Sequence, residues 1–106
     1  MTGEGDDPVL PLAGVRVVDA ATILAGPFAA SVLGEFGAEV VKVEQPGVGD
    51  PMRRLGTAGP EGDTWWWLSD TRNKRSVEID LRTDAGADEF RLLVNGADVL
   101  IENYRT

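Results

Sequence analysis

Three stretches in direct succession constrain the fold most: "GVRVVDA", "GPFAASVLGEFG" and "AEVVKVE". In the first, Val15, Val17 and Val18 form a β-branched run bounded upstream by Pro11 and Gly14, the mark of a short strand. In the second, Pro27 suits a first helical position, and Phe28, Val32, Leu33 and Phe36 recur at helical spacing as a predicted buried face. Gly37 is placed to be the left-handed residue that ends this helix. Val40, Val41 and Val43 then supply a second strand. Strand, helix, strand at this spacing is a β-α-β unit, whose two strands run parallel.

A second unit follows. "SVEIDL" alternates Val77, Ile79 and Leu81 with polar neighbours, Thr83 is a predicted N-cap, and Asp84 complements the helix dipole. Ala87, Phe90, Leu93 and Val94 form the stripe of the next helix, Gly96 caps it, and "ADVLIE" reads as a buried strand over Val99, Leu100 and Ile101. The predicted class is therefore α/β, a Rossmann-like parallel sheet with right-handed connections built from two β-α-β units. Residues 45–63 hold three prolines and five glycines, a loop long enough to be functional or mobile. "TWWWLSDTRNKRS" reads as a short irregular or helical piece leading into a basic turn. Residues 1–10 read as a disordered acidic tail and residues 11–106 as one domain.

Composition narrows the function. The 106 residues, 42% of them hydrophobic, suffice for one small core. No run approaches the roughly 20 apolar residues that cross a bilayer, so no membrane role is expected. The opening "MTGEGDDPVLP" has no apolar segment of a secretory signal, and the absence of cysteine fits a reducing compartment. A cytoplasmic location is expected. There is no histidine, which removes the usual neutral-pH base and, with cysteine, the commonest metal ligands; no metal is expected. A net charge of −8 argues against a nucleic-acid surface. Six of the ten basic residues, Arg53, Arg54, Arg72, Lys74, Arg75 and Arg82, nevertheless fall within one stretch. Such a run is either a local anion site or, more commonly, a solvated loop.

The turn after the first strand, "DAATILAGP", has one glycine before the helix where a dinucleotide fingerprint needs three, and no P-loop is present. Ligand contacts in an open α/β sheet lie beyond the strand ends. Those are Ile23, Leu24 and Ala25, then Gln45, the "IDLR" stretch, and "NYR". Arg82 and Arg105 carry permanently charged forks suited to phosphate, and Asn103 both donates and accepts.

At these residues the chain resembles a known family. "PLAGVRVVD", "AGPFAASVLGEFGAEVVKVEQPGVGD", "RNKRSVEIDLRT" and "ADVLIENYR" look like the N-terminal part of the class III CoA-transferases, which include formyl-CoA and carnitine CoA-transferases and are related to α-methylacyl-CoA racemases. The resemblance implies a CoA-binding, Rossmann-like large domain in a polypeptide several times longer, assembled as an interlocked homodimer or with a chain carrying the remaining segments. It implies coenzyme A as acyl-CoA substrate and a carboxylic acid as acceptor. Leu24 and Ala25, with Ile23, would meet the pantetheine or adenine end. Gln45 stands where relatives often carry a basic contact, a departure that weighs against a charged phosphate contact there. Ile79, Asp80, Leu81 and Arg82 match the segment lining the adenosine 3′-phosphate region, and Asn103, Tyr104 and Arg105 match the next strand end. The family's aspartate nucleophile lies downstream of "ENYR", so no catalytic residue is expected in this chain, and the chain alone is expected to be inactive. The long linker containing "RNKRS" resembles transferases more than racemases. A racemase, or a non-catalytic CoA- or nucleotide-binding subunit, is the alternative.

Other residues read more plainly. Asp19, at a strand end, is expected to bond nearby backbone amides, and Asp80 to be structural or a ribose contact. Trp65, Trp66 and Trp67 suit core or interface packing better than base stacking. Arg72, Lys74 and Arg75 could face CoA phosphates, hold the turn, or form an intersubunit ion pair. Arg53 and Arg54 lie on the long loop, where mobile surface is the default expectation.

Overall fold

Val17 and Val18 are neighbours on one strand, so their side chains leave it on opposite faces, yet both are buried. The strand therefore has cover on each side. It is β1 (Arg16–Asp19), an inner strand of a four-stranded parallel sheet with β2 (Glu39–Glu44), β3 (Lys74–Glu78) and β4 (Val99–Ile101). The computed structural model describes residues 9–105; the first eight residues of the expected tail lie outside them. Helix α1 (Ala25–Glu35) lies on the face carrying Val17 and Val40, and α3 (Asp84–Asn95) on the face carrying Val18 and Val43. A short helix, α2 (Trp65–Asp70), precedes β3.

The strand order is β3-β2-β1-β4. The second unit thus straddles the first: the chain leaves β3 at one edge, passes through α3 and adds β4 at the other. Reversal of winding direction beside β1 makes the gap between β1 and β4 a topological switch point, where open α/β sheets bind ligands.

The structure corrects three local expectations. The buried residues of α1 are Pro27, Ala30, Ser31 and Gly34, whereas Phe28 is 53% exposed and Phe36 is similarly open. Small side chains let the helix sit close to the sheet, since a Cβ on Gly34 would lie 3.4 Å from Val40 Cγ2. The large residues, Leu33 apart, are left on the outer side. Second, β3 begins and ends before "SVEIDL" does. Val77, Ile79 and Leu81 still share one apolar cluster with Phe90, Leu93 and Val94, but Ile79 and Leu81 lie beyond the ladder. Third, β4 is only partly covered, with Val99 37% and Leu100 42% exposed, because it is an edge strand paired to β1 alone.

The predicted caps hold. Gly37 has φ +107°, Gly37 N–H donates to the Gly34 carbonyl at 3.0 Å and Ala38 N–H to that of Leu33 at 3.1 Å, the pair of bonds that closes a helix through a left-handed residue. Thr83 Oγ1 accepts from Gly86 N–H at 2.9 Å at the start of α3. Among the described residues no helix is long and apolar enough to cross a membrane.

Candidate functional site

A cleft of about 220 Å³ opens beyond the carboxyl ends of β1, β2 and β3. Five of the expected residues line it: Gln45, Ile79, Leu81, Arg82 and Tyr104, with Thr22 from the turn after β1. Ile79 is buried, and its N–H donates to the Glu44 carbonyl at 3.0 Å, which extends the pairing of β2 with β3 by one residue. Leu81 adds a half-buried apolar wall. The side chain of Arg82 is 77% exposed. Asp80 Oδ1 accepts from Arg82 N–H at 3.0 Å and from its Nε at 3.2 Å, so the carboxylate holds one edge of the guanidinium. The terminal nitrogens of Arg82 meet no acceptor among the described residues and are free for an anion. The Arg82 backbone N–H, then its guanidinium, then Gln45 hold the Asp80 carboxyl below its usual range. Asp80 is an anchor for Arg82. Tyr104 is pushed above the usual phenol range by burial, with Glu102 and Asp19 adding to it.

The remaining expected residues surround the turn between β1 and α1. Asn103 does not face open space with its amide: Oδ1 accepts from Thr22 N–H at 3.1 Å and Nδ2 donates to the Thr22 carbonyl at 2.9 Å. This reciprocal pair ties the segment after β4 to the turn after β1, across the switch point. Ile23, Leu24 and Ala25 are exposed beside it, and Arg105 is exposed. Ile23 has φ +70°. For a β-branched residue that conformation is a genuine outlier, costing on the order of 1–3 kcal/mol unless its surroundings impose it.

Buried charges provide those surroundings. The outward succession of β2 places Lys42 on the same face as Val40, and its side chain is only 1% exposed. Lys42 Nζ lies 2.6 Å from the Ala21 carbonyl, 2.8 Å from Asp50 Oδ2 and 3.6 Å from Asp19 Oδ2. The ammonium thus sits in close contact with the Ala21 carbonyl and Asp50, with Asp19 near enough to add charge but not a hydrogen bond. Asp50 also accepts from Met52 N–H at 2.9 Å and from Ile23 N–H at 3.3 Å. Asp19 accepts from Ala21 N–H at 3.1 Å, as the sequence suggests, and from Lys74 Nζ at 2.9 Å. Lys74 further donates to the Pro27 carbonyl at 2.8 Å. Burial pulls the Lys74 ammonium below its usual range, and Asp19 opposes the shift. Lys74 is thus spent inside the chain, on Asp19 and the Pro27 carbonyl, rather than in a phosphate contact or an intersubunit ion pair.

The long loop is tied down by a second set. Glu44, at the end of β2, accepts from Asp50 N–H at 2.8 Å, from Arg53 Nε and Nη2 at 2.8 and 2.7 Å, and from Ser76 Oγ. Burial pushes the Glu44 carboxyl up, but these donors outweigh it and hold the pKa at about 2. Glu44 and then Asp63 raise the Arg53 guanidinium against the effect of burial. Arg53 also lies 4.0 Å over the ring of buried Trp67, a cation–π contact. Arg53 is thus structural rather than mobile surface. Trp66 Nε1 donates to Asp70 Oδ2 at 3.0 Å, and Trp65 is exposed. Arg54 donates to the Val48 carbonyl at 2.7 Å, and Arg72 pairs with Glu35. Of the basic run, Arg82 and Arg75 remain the exposed cations without a carbonyl or a second element to hold them among the described residues.

Lys42, Glu44 and Asp50 are absent from the sequence-derived site. The one signal for the first two is parity, because both share the inward face of β2 with Val40. A charged pair on the covered face of an inner strand demands partners nearby. Asp50 sits in a glycine-rich loop and carries no signal of its own.

Comparison with known proteins agrees with this fold. The family described as CoA-transferase family III matches residues 12–106. The chain is 55% identical over 102 residues to the β subunit of succinyl-CoA–L-malate CoA-transferase of Chloroflexus aurantiacus, covering 96% of this chain and 25% of that protein. It is 42% identical over 98 residues to succinyl-CoA:glutarate CoA-transferase of Mus musculus, covering 92% of this chain and 22% of that protein. Among solved structures, a CAIB/BAIF family protein from Brucella suis superposes with a TM-score of 0.83 at 41% identity, over 92% of this chain and 26% of that one. The chain spans about a quarter of the length of the curated relatives it matches. The matched residues include both β-α-β units, the cleft and the buried charges beneath it, and on that evidence the chain belongs to CoA-transferase family III.

Proposed function

We propose that this chain is the CoA-binding N-terminal portion of an acyl-CoA:carboxylate CoA-transferase. The observation that carries the reading is the cleft at the strand ends, with an apolar wall of Ile79 and Leu81 beside a guanidinium whose terminal nitrogens are unengaged. That pairing suits an adenosine carrying a 3′-phosphate: apolar surface for the base, a forked cation for the phosphate oxygens. Gln45, Asp80 and Tyr104 complete the nucleotide end, and Ile23, Leu24, Ala25, Asn103 and Arg105 border the path toward the thioester.

The bond-making group in this reading is an aspartate outside these residues. Its carboxylate attacks the thioester carbonyl of the donor, giving a mixed anhydride and CoA thiolate. The thiolate then attacks the aspartyl carbonyl, releasing the donor acid and leaving an aspartyl-CoA thioester. The acceptor carboxylate repeats the two steps in reverse and leaves as its CoA thioester, with the aspartate regenerated. Covalent catalysis divides one difficult exchange into easier ones. This chain contributes binding energy remote from sulfur, which positions the thioester. Relatives named for succinyl-CoA support it as the first donor to test, with a dicarboxylate acceptor. Relatives that are α and β subunits support assembly with a second chain. The reaction is placed in the cytoplasm, on a cysteine-free sequence that suits a reducing compartment.

Calorimetry on the assembled transferase tests the reading. Arg82→Ala is expected to weaken CoA about tenfold, the scale of one charge-assisted hydrogen bond at an exposed site. Dephospho-CoA, which lacks the 3′-phosphate, is expected to lose less than about twofold. Equal losses for both ligands remove the phosphate role of Arg82.

A further inference from the structure

Residues 21–23 form no ladder and no helix, yet five successive backbone groups are taken up by side chains from four places in the sequence. Asp19 accepts the Ala21 N–H, and Lys42 donates to the Ala21 carbonyl. Asn103 engages both the N–H and the carbonyl of Thr22. Asp50 accepts the Ile23 N–H through both oxygens, at 3.3 and 3.4 Å. Two of these four residues, Lys42 and Asp50, form an ion pair buried to 1% exposure. An ion pair so buried is a weak device for stability alone, because desolvation cancels much of the attraction. Its geometry is directed at the turn: Lys42 donates to the Ala21 carbonyl, and Asp50 reaches the one β-branched residue with a left-handed backbone.

We propose that Lys42 and Asp50 are positioning residues for CoA binding, a buried ion pair that fixes residues 21–23 in a path, left-handed at Ile23, that places Thr22 on the cleft wall and Leu24 and Ala25 beside it. The inference rests on the CoA reading given above. Asp50 also lines the floor of the cleft, whereas Lys42 does not; the pair acts on the turn through Ile23, and the cycle below separates that action from a direct contact of Asp50. Preorganising the turn removes an ordering cost that CoA would otherwise meet on binding.

The test is a cycle on the assembled transferase, with CoA as the calorimetric probe. Asp50→Asn keeps the shape of the side chain but removes the charge that Lys42 requires. It is expected to weaken CoA about tenfold, or about 1.4 kcal/mol. Glycine reaches positive φ without steric penalty, so in an Ile23→Gly background the same Asp50→Asn change is expected to cost about twofold or less. A pair that served only global stability would not have its effect on CoA affinity relieved at residue 23. Equal losses in the two backgrounds, or no loss in either, overturn the proposal. Hydrogen exchange on the unsubstituted enzyme needs no variant to fold: the Thr22 and Ile23 amides are expected to be protected before CoA is added. Exchange at open-loop rates overturns the proposal as well. An unsubstituted enzyme that binds no CoA removes the functional reading and this inference together, whereas normal CoA affinity with equal losses removes this inference alone.

Discussion

Glu44→Gln tests whether the carboxylate beneath the long loop stabilises the fold as its surroundings imply. The side chain is 3% exposed and receives donors from Asp50, Arg53 and Ser76. They hold it at about 2 against an ordinary value of 4.5. A drop of about 2.5 pH units, at 1.36 kcal/mol per unit, corresponds to about 3 kcal/mol. The sign follows from proton uptake. The unfolded chain binds this proton at higher pH than the folded one, so the contribution is complete above about 4.5 and disappears as the pH falls toward 2. About 2 kcal/mol of it is gone by about pH 3. Urea unfolding of the protein and of Glu44→Gln at about pH 6 and about pH 3 reads this directly, since every other carboxylate titrates in both. The stability gap between them is expected to shrink by about 2 kcal/mol on acidification. Two proteins that lose stability in parallel would refute the argument.

Two further substitutions probe the scaffold around Arg82. Thr83→Ala removes the oxygen that accepts the Gly86 N–H and is expected to cost about 1 kcal/mol by thermal or urea unfolding; no change would show that water replaces the cap without loss. Gly86→Ala places a Cβ 1.8 Å from the Asp80 carbonyl oxygen, a backbone atom that cannot turn aside. The expected cost is about 3 kcal/mol, with a weakened CoA interaction because the Asp80–Arg82 segment must shift. Unchanged stability would mean that α3 does not pack against that carbonyl.

Local rules made the β-α-β units, the Gly37 termination and the Thr83 cap legible, because each depends on a few neighbouring residues. The parallel class was legible for the same reason. What escaped depends on residues distant in sequence. On α1 the apolar period alone favours Phe28 and Phe36, while the sheet selects Ala30, Ser31 and Gly34 for close approach. In "SVEIDL" the alternation continues past the point where β3 stops at Glu78, so pattern alone overstates the strand. In the site, Gln45, Ile79, Leu81, Arg82 and Tyr104 fall on one cleft as strand-end logic requires. Lys42 and Asp50 did not announce themselves: a lysine inside a valine-rich strand acquires meaning only when Asp19, Asp50 and Ala21 surround it.

The bond between Thr22 and Asn103 joins positions 81 residues apart. A ribosome delivers the N-terminal half of that contact long before the C-terminal half. Until the fourth strand emerges, Thr22 has no amide to grip it, and the sheet lacks the neighbour that shields Val17 and Val18 along one side. The nascent polypeptide can thus collapse around its two inner strands early, with Lys42 and Asp50 already on the bend and Thr22 alone unmatched. The last grip on that bend comes from the far end of the sheet, with Asn103.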